Sequence, residues 1–464
     1  MSGHSSVAAV SSLRSRVLGA SAWVILGSIG GNVLRLASNL IVTRLLVPEM
    51  FGLMAIVMTV GIITAMLSDL GLTQGVVRGV RGDDEIYLDT VWSVQVVRGV
   101  VLWVCAIFIA AGLWFANGAG AFAVDSAYAV PVLPALIVAG SFASVIHGFA
   151  STRIASAYRH VQLRSIVQLD FLSQVAGLVV MVGAAAITRS VWSLVAGGLI
   201  NALVYCLLSH TWLKGRRNHF RWERAALHDV LTFGKWLLLS SAVTVFAMTG
   251  DRLILAAILD ASTLGYYSIA ISLVSAITAV FLTLFTRVGL PTLSEVARKD
   301  IEKLPSVYRQ IIIKSDPIIV TCAGVLYALA DFIVHILYDD RYQPAGNMLG
   351  ILSFSILLSR YWLAEQAYLA LSISYYQVYL NLIRLISICA IVPVAYYKFG
   401  LFGALVAISL KDLPALPLVF YYNARHGLNF FKLDLLILLT CWPLGYFLGR
   451  MFETLISFRF DRLI

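Results

Sequence analysis

Charge is scarce in this sequence. Only 12% of its 464 residues are Asp, Glu, Lys or Arg, against about 25% in an average soluble domain. Hydrophobic residues make up 60% of the chain, and mean hydropathy is +0.88. So little polar material cannot cover a water-exposed surface, which excludes a soluble globular fold and makes the chain an integral membrane protein. Cysteine is sparse too. Cys105, Cys206, Cys322, Cys389 and Cys441 each stand alone in an apolar run, so the spacing supports neither a disulfide framework nor a thiolate metal site. A Gly-rich phosphate loop and a paired-histidine metal motif are both missing. No ATP-binding domain is recognisable, so primary active transport by this chain alone is excluded, and no cofactor or metal is expected. The acidic triplet Asp83-Asp84-Glu85 follows Arg81 and Gly82 in a short polar turn and reads as solvated, not catalytic.

What the sequence holds in quantity is long apolar runs. A spanning helix needs about 20 apolar residues. On that rule spans fall near 17–43, 50–70, 90–115, 129–150, 166–188, 191–213, 233–259, 265–288, 316–337, 346–369, 376–397, 400–422 and 433–449. The first run is too long and too polar for the apolar core of a signal peptide and lacks a small-residue cleavage site. With the N-terminus inside, twenty Lys and Arg fall in inside loops and four (Arg44, Arg189, Arg341 and Lys398) in outside loops. The net charge of +10 is therefore a topology signal and not a nucleic-acid one. The two longest polar segments, Lys214–Asp229 and Leu290–Lys314, both fall inside. Their mix of basic and apolar residues predicts short helices on the inner membrane surface. The outside loops are all short, which argues against a membrane polymerase that holds its acceptor in a folded external domain.

The stretch 233–286 repeats the layout of the chain's beginning. Shifted back by 213 residues, Trp236 falls on Trp23, Leu253 and Ile254 on Leu40 and Ile41, Leu259 on Leu46, Gly265 on Gly52 and Ile269 on Ile56. Weak internal repeats of this kind mark transporters built from two related halves. The expected organisation is a cytoplasmic tail (1–16), a six-helix bundle (17–213), a basic linker (214–232), a second six-helix bundle (233–422) and an extra C-terminal transmembrane segment with tail (423–464). The fold class is thus an all-α polytopic membrane protein, with two pseudosymmetric bundles around a central cavity and one or two further C-terminal helices.

Charges inside spans are costly and turn toward cavities or partners. Gly27, Gly31, Arg35 and Ser38 share one helical face, with a Gly-x-x-x-Gly step for close helix approach. Ser241, Thr244, Met248 and Asp251 make the matching face in the second half. Gln95 and Arg98 lie three apart; Gln377, Asn381 and Arg384 follow at four and three. Arg35, Arg98, Arg360 and Arg384, with Gln95 and Asn381, are the candidate cavity-lining residues. A guanidinium matches phosphate oxygens bidentately, so they point to an anionic cargo. Tyr361, Trp362, Tyr368, Tyr375, Tyr376 and Tyr379 add flat amphipathic faces that suit sugar rings and membrane interfaces alike. Asp251, Arg252, Glu365 and Asp412 are candidates for coupling or gating, and Pro414 and Pro417 after Lys411-Asp412 predict a helix break.

Three stretches carry a family resemblance. TRLLVPEMFGLMAIVMTVGIITAMLSDLGLTQGVVR, DRLILAAILDASTLGYYSIA and YDDRYQPAGNMLGIL resemble, in order and spacing, the polysaccharide flippases of the multidrug/oligosaccharidyl-lipid/polysaccharide exporter superfamily. The resemblance implies twelve to fourteen spans in two pseudosymmetric bundles in the cytoplasmic membrane. It also implies alternating-access transfer of undecaprenyl-diphosphate-linked oligosaccharide for O-antigen, capsule or exopolysaccharide synthesis. Implied partners are that polyprenyl-linked cargo, membrane lipids, and a polysaccharide polymerase with its export machinery. The family shares no catalytic residues, and no enzyme activity is expected. A cation-coupled multidrug exporter of the same superfamily is the alternative; the excess of Arg over carboxylates in the spans favours the flippase.

The charge bias sets an expected outcome. C-terminal reporter fusions at residues 83, 157, 218 and 300 read cytoplasmic, and fusions at 120, 262 and 342 read external. Inverted labels at both 218 and 262 would overturn the two-half arrangement.

Overall fold

The computed structural model describes residues 33–460 except 69, 80 and 161, together with 27, 30 and 31. The side chains of 78, 230, 231, 233–240, 242 and 456–460 are not among those described. The expected tail 1–16 and residues 17–26, 28, 29 and 32 of the first span lie outside the described residues. Every regular element among those described is helical: α1 (33–45), α2 Pro48–Leu67, α3 Leu72–Arg78, α4 Glu85–Gly118, α5 Leu133–Gly148, α6 Arg153–Arg159, α7 Leu163–Thr188, α8 Trp192–Thr211, α9 Arg224–Ile258, α10 Ala261–Leu284, α11 Leu290–Lys299, α12 Leu304–Leu337, α13 Pro344–Leu352, α14 Phe354–Ser359, α15 Trp362–Ala370, α16 Tyr375–Ile386, α17 Val392–Ser409, α18 Leu416–Arg425 and α19 Phe431–Phe460. Eight helices or merged helices are long and apolar enough to cross a membrane, and α5 with α6, bent by 63°, makes a ninth if read as one span. Their outer faces carry large exposed apolar side chains such as Phe108, Phe115, Tyr397 and Phe447, as lipid contact requires. The chain is a multi-pass membrane protein. It divides into two compact units, Met1–Ala242 and Val243–Ile464, with the division inside α9.

Local chemistry explains the element starts. Pro48 opens α2, where its missing N–H costs nothing. Asp84 caps α4 by accepting from the Ile86 amide at 3.0 Å, and Asp260 caps α10 by accepting from Thr263 N at 3.0 Å. Pro48 and Ala261, the first residues of α2 and α10, stand 213 positions apart, the offset of the sequence repeat. The Gly-x-x-x-Gly step serves close packing as expected: a Cβ at Gly27 would lie 2.3 Å from Val167 of α7.

Two expected spans are not single helices. The run 346–369 is divided among α13, α14 and α15, with breaks at Ser353 and at Arg360–Tyr361. The Ser353 and Ser359 hydroxyls bond back to Gly350 O and Ile356 O and compete with the backbone ladder there. The run 400–422 contains a kink at Gly400 (φ 61°) within α17, then the predicted break, a 3₁₀ turn at Leu413–Ala415 and α18. A π turn at Ser387–Ile391 joins α16 to α17.

The basic linker departs from the expectation of a surface helix. Residues 214–223 are non-helical, and helix begins only at Arg224. The reason is a set of competing partners on the first unit. His219 N, Arg221 N and Glu223 N donate to Asp89 Oδ1 (3.0 Å), Ser93 Oγ (3.0 Å) and Thr90 Oγ1 (3.2 Å) of α4. Asn218 Oδ1 accepts from Ser151 Oγ at 2.8 Å, and Phe220 lies 4.6 Å from the Trp92 ring. Glu223 pairs with Arg81 (2.7 Å), and Arg216 with Glu85. Nearby, Arg159 pairs with Asp83 at 2.8 Å. Desolvation raises the Asp83 carboxyl, but hydrogen bonds from Arg159 and His160 outweigh it and hold the group below the usual carboxylate range. That contribution is present at neutral pH and is lost as pH falls through the depressed value. The second polar segment keeps the expectation in part, since α11 is an amphipathic helix, although it also packs on α15.

In the second unit α12 packs along α19, and glycines set the separation. A Cβ at Gly445 would lie 2.3 Å from Thr321 O, and one at Gly324 2.5 Å from Trp442 O. Both obstacles are backbone, which cannot rotate away. Gly445→Ala therefore lowers stability by about 1–3 kcal/mol, read as a lower unfolding temperature in detergent. Gly112→Ala, whose Cβ meets nothing within 4 Å, leaves it unchanged or slightly raised. Equal effects from the two would sink this account of the α12–α19 contact.

Candidate functional site

The candidate residues fall into separate places, and the structure gives each its neighbours. Arg384 is the most elaborately held. It sits near the end of α16, just before the π turn, and is buried. Its Nη2 pairs with Glu365 Oε1 at 2.5 Å and its Nε with Asp412 Oδ1 at 2.6 Å. Nη1 donates to Asn381 Oδ1 at 2.9 Å, Asn381 Nδ2 donates to Thr244 Oγ1 at 3.2 Å, and Gln377 Nε2 reaches Glu365 Oε2 at 3.4 Å. The polar stripe Gln377–Asn381–Arg384 therefore does face one site, together with Thr244 from the stripe on α9. Glu365 comes from α15, and Asp412 from the turn between α17 and α18. Two carboxylates answer one guanidinium, so this arginine is matched from within the protein. Arg384, Glu365 and Asp412 form one cluster, which joins a residue expected to bind cargo with two expected to couple or gate.

Arg360 is also buried. Its Nη1 donates to the Asp434 carbonyl at 3.2 Å and its Nη2 to Tyr361 Oη at 2.8 Å, with the guanidinium 4.8 Å from the Tyr361 ring centre. Asp316 and Asp434, both buried, lie within its electrostatic reach. Sequence reasoning missed these two carboxylates. The Ser315-Asp316-Pro317 step, a charge inside an apolar run, was the available signal for one of them.

Asp251 and Arg252 do not pair with each other. Asp251 Oδ2 accepts from Tyr267 Oη of α10, while Oδ1 is buried without a partner. Arg35 stands exposed on α1. The tyrosines largely pack among themselves: Tyr376 stacks on Tyr422 at 3.5 Å, and Tyr368 Oη donates to Asn423 Oδ1 at 2.7 Å.

Gln95 and Arg98 both lie on α4, three positions apart. Both line a cavity of about 770 Å³ in the first unit. Gln95 Nε2 spans the C-terminal end of α5, donating to the carbonyls of His147 (3.2 Å), Gly148 (3.0 Å) and Ala150 (3.0 Å), which satisfies helix-end acceptors. Arg98 Nε donates to Ser68 Oγ at 2.9 Å and its Nη2 to Ala65 O at 2.7 Å, closing the end of α2. His147, Ser144 and Tyr205 also line the cavity, and the His147 and Tyr205 rings meet edge to face at 5.3 Å. Sequence reasoning did not find these three, because no spacing joins them to α4.

Comparison with known proteins bears on this arrangement. Residues 41–347 match the family described as "Polysaccharide biosynthesis protein". The chain is 23% identical over 294 residues to "Lipopolysaccharide biosynthesis protein WzxC" of Escherichia coli K12, covering 63% of this chain and 57% of that protein. It is 22% identical over 298 residues to an "Uncharacterized membrane protein in cps region" of Klebsiella pneumoniae, covering 63% and 58%. The matches thus span under two thirds of either relative's length. Among solved structures, the lipid II flippase MurJ in an inward closed conformation superimposes with TM-score 0.73 at 12% identity, over 95% of this chain and 100% of that one. An inward-facing multidrug resistance transporter of the MATE family, MOP superfamily, superimposes with TM-score 0.65 at 15% identity, over 86% and 94%. At these identities the likeness is one of fold.

The Arg384 cluster makes a direct prediction. Removing one partner of a buried ion pair costs about 3–5 kcal/mol, whereas removing all partners together can be nearly neutral. Arg384→Met alone therefore cuts membrane abundance and unfolding temperature. The triple change Arg384→Met, Glu365→Gln, Asp412→Asn recovers much of both. Normal abundance with lost transport in the single variant would instead make Arg384 a cargo contact.

Proposed function

The chain belongs to the polysaccharide biosynthesis protein family, and from that membership we propose that it is a flippase. It moves undecaprenyl-diphosphate-linked oligosaccharide units across the cytoplasmic membrane for O-antigen, capsule or exopolysaccharide synthesis. The observation that carries this reading is the family match over residues 41–347. A fold shared with a lipid II flippase over 95% of the chain supports it, as does the lipopolysaccharide biosynthesis relative. The N-terminus is cytoplasmic, following the positive-inside bias. Transfer is by alternating access: the head group enters a site open to the cytoplasm, the prenyl chain stays in lipid, and the site then opens outward. A polysaccharide polymerase and export machinery act downstream. The step moves cargo and needs no covalent chemistry from this chain.

A multidrug exporter is the second reading, favoured by the MATE-type neighbour. The excess of arginine over carboxylates within the apolar spans weighs against it, since a cationic drug needs the opposite charge.

Deleting the gene and returning wild-type protein tests the assignment. Loss of surface polysaccharide with build-up of lipid-linked oligosaccharide on the inner leaflet, both reversed by the returned gene, is the expected outcome. Unchanged polysaccharide with altered drug susceptibility would favour the exporter.

A further inference from the structure

We propose that a cavity at the outer end of the second unit binds sugar rings of the cargo and turns its diphosphate away. This rests on the flippase reading above and adds to it a place where the glycan is held once it has crossed.

Several segments meet at this cavity. Tyr266 comes from the first turns of α10, Asp331 and His335 from the last turns of α12, Asp340 from the 3₁₀ turn Asp340–Tyr342, Asn347 from α13 and Glu453 from α19. The positive-inside bias assigns every one of these helix ends and loops to the exterior. The cavity measures about 860 Å³, within the range of about 300–1,000 Å³ usual for small-molecule sites. Asp331 and His335 lie four positions apart and share one face of α12. A Cβ at Gly346 would overlap the Asp331 carboxylate, so the glycine lets that carboxylate lie against the first turn of α13.

Charge decides what the lining can hold. Arg341 is paired with Asp339 at 2.5 Å, and Glu453 with Arg450 at 2.7 Å. Asp331, Asp340, His335 and Asn347 have no side-chain partner among the described residues. The lining therefore offers acceptors in excess and carries negative charge. Among the described residues no group of three or more His, Cys, Asp or Glu is arranged to hold a metal ion, which points to an organic ligand. A sugar ring supplies what is missing: several hydroxyl donors on a compact, partly apolar body. Carboxylates accept hydroxyl donors in charge-assisted bonds, imidazole and amide groups can both give and accept, and Tyr266 and Phe332 add aromatic surface. A diphosphate brings only acceptors and charge of the same sign, which is repelled. The glycan is thus held by its sugars, while the lipid-diphosphate end stays at the membrane.

The test uses the full-length protein in nanodiscs. Its probe is the oligosaccharide freed by mild acid from the lipid-linked material that builds up in the deletion strain. The same oligosaccharide still bearing its anomeric phosphate is the anionic counterpart. Wild type binds the free oligosaccharide more tightly than the phosphate. Asn347 is exposed, and Asn347→Trp puts an indole into the cavity. That variant, and the isosteric pair Asp331→Asn with Asp340→Asn, each weaken the free oligosaccharide about tenfold. The paired change also narrows the preference over the phosphate, which a merely structural loss would not do. Tyr397→Leu, 90% exposed and not among the lining residues, matches wild type. Should one lining variant fail to fold, the other decides. A wild-type protein that restores export but does not bind the free oligosaccharide, or prefers the phosphate, overturns the site and leaves the flippase reading intact. Equal affinity in wild type and the lining variants does the same. A deletion strain with unchanged polysaccharide and no lipid-linked build-up removes the flippase reading, and this proposal with it.

Discussion

A guanidinium held away from water must be met by acceptors, and in this chain that demand ties the helices together where they are interrupted. Helix ends and breaks leave carbonyls without partners, so each need meets the other. Arg98 closes the end of α2 through Ala65 O and Ser68 Oγ. Arg153, at the start of α6, donates to carbonyls at the end of α8 and just beyond it. Arg159 collects the carbonyls of Val76, Val77 and Gly79 at the end of α3. Arg360, at the break between α14 and α15, reaches the first turn of α19. Arg384 binds the turn after α17 to α15 through carboxylates. Without these contacts the interruptions would leave backbone carbonyls unsatisfied, at a cost that reaches several kcal/mol for a group in lipid.

The same demand separates the two units in character. They share the sequence offset and the placement of α2 and α10, yet the second answers the buried Arg384 with its own carboxylates. In the first, Arg98 meets the end of α2 through Ala65 O and Ser68 Oγ. A buried ion cluster is weak evidence for stability in itself, but it fixes which helix fragments lie together, and α13–α15 and α18, of 6 to 10 residues each, are short enough to need that.

Much of the architecture was legible in the sequence because it depends on local signals. Long apolar runs, the break after Lys411-Asp412 and the Gly27–Gly31 packing step each need only near neighbours in the chain. The stripe at Gln377, Asn381 and Arg384 was legible as well, since helical periodicity alone aligns it. What these residues touch was not legible. Glu365 and Asp412 lie 19 and 28 positions from Arg384, and only the tertiary fold brings them to it. The linker misled for a related reason: its basic and apolar pattern suits a surface helix, but side chains of Asp89, Thr90 and Ser93, more than a hundred positions earlier, claim its amides. Gln95 stood out by its spacing to Arg98, but spacing cannot reveal the three carbonyls it meets across α5.

That linker has a consequence for how the protein can be altered. Its amides at 219, 221 and 223 are held at alternate residues, so its grip on α4 has a period of two and a fixed frame. One added or deleted residue puts the wrong set of amides toward Asp89, Ser93 and Thr90 and turns Phe220 away from Trp92. The segment is consequently a poor place for a protease site, a tag or a junction between halves taken from different relatives, despite its exposure and polarity. The turn near Val124, 91% exposed, carries no such frame and is the better place to open the chain.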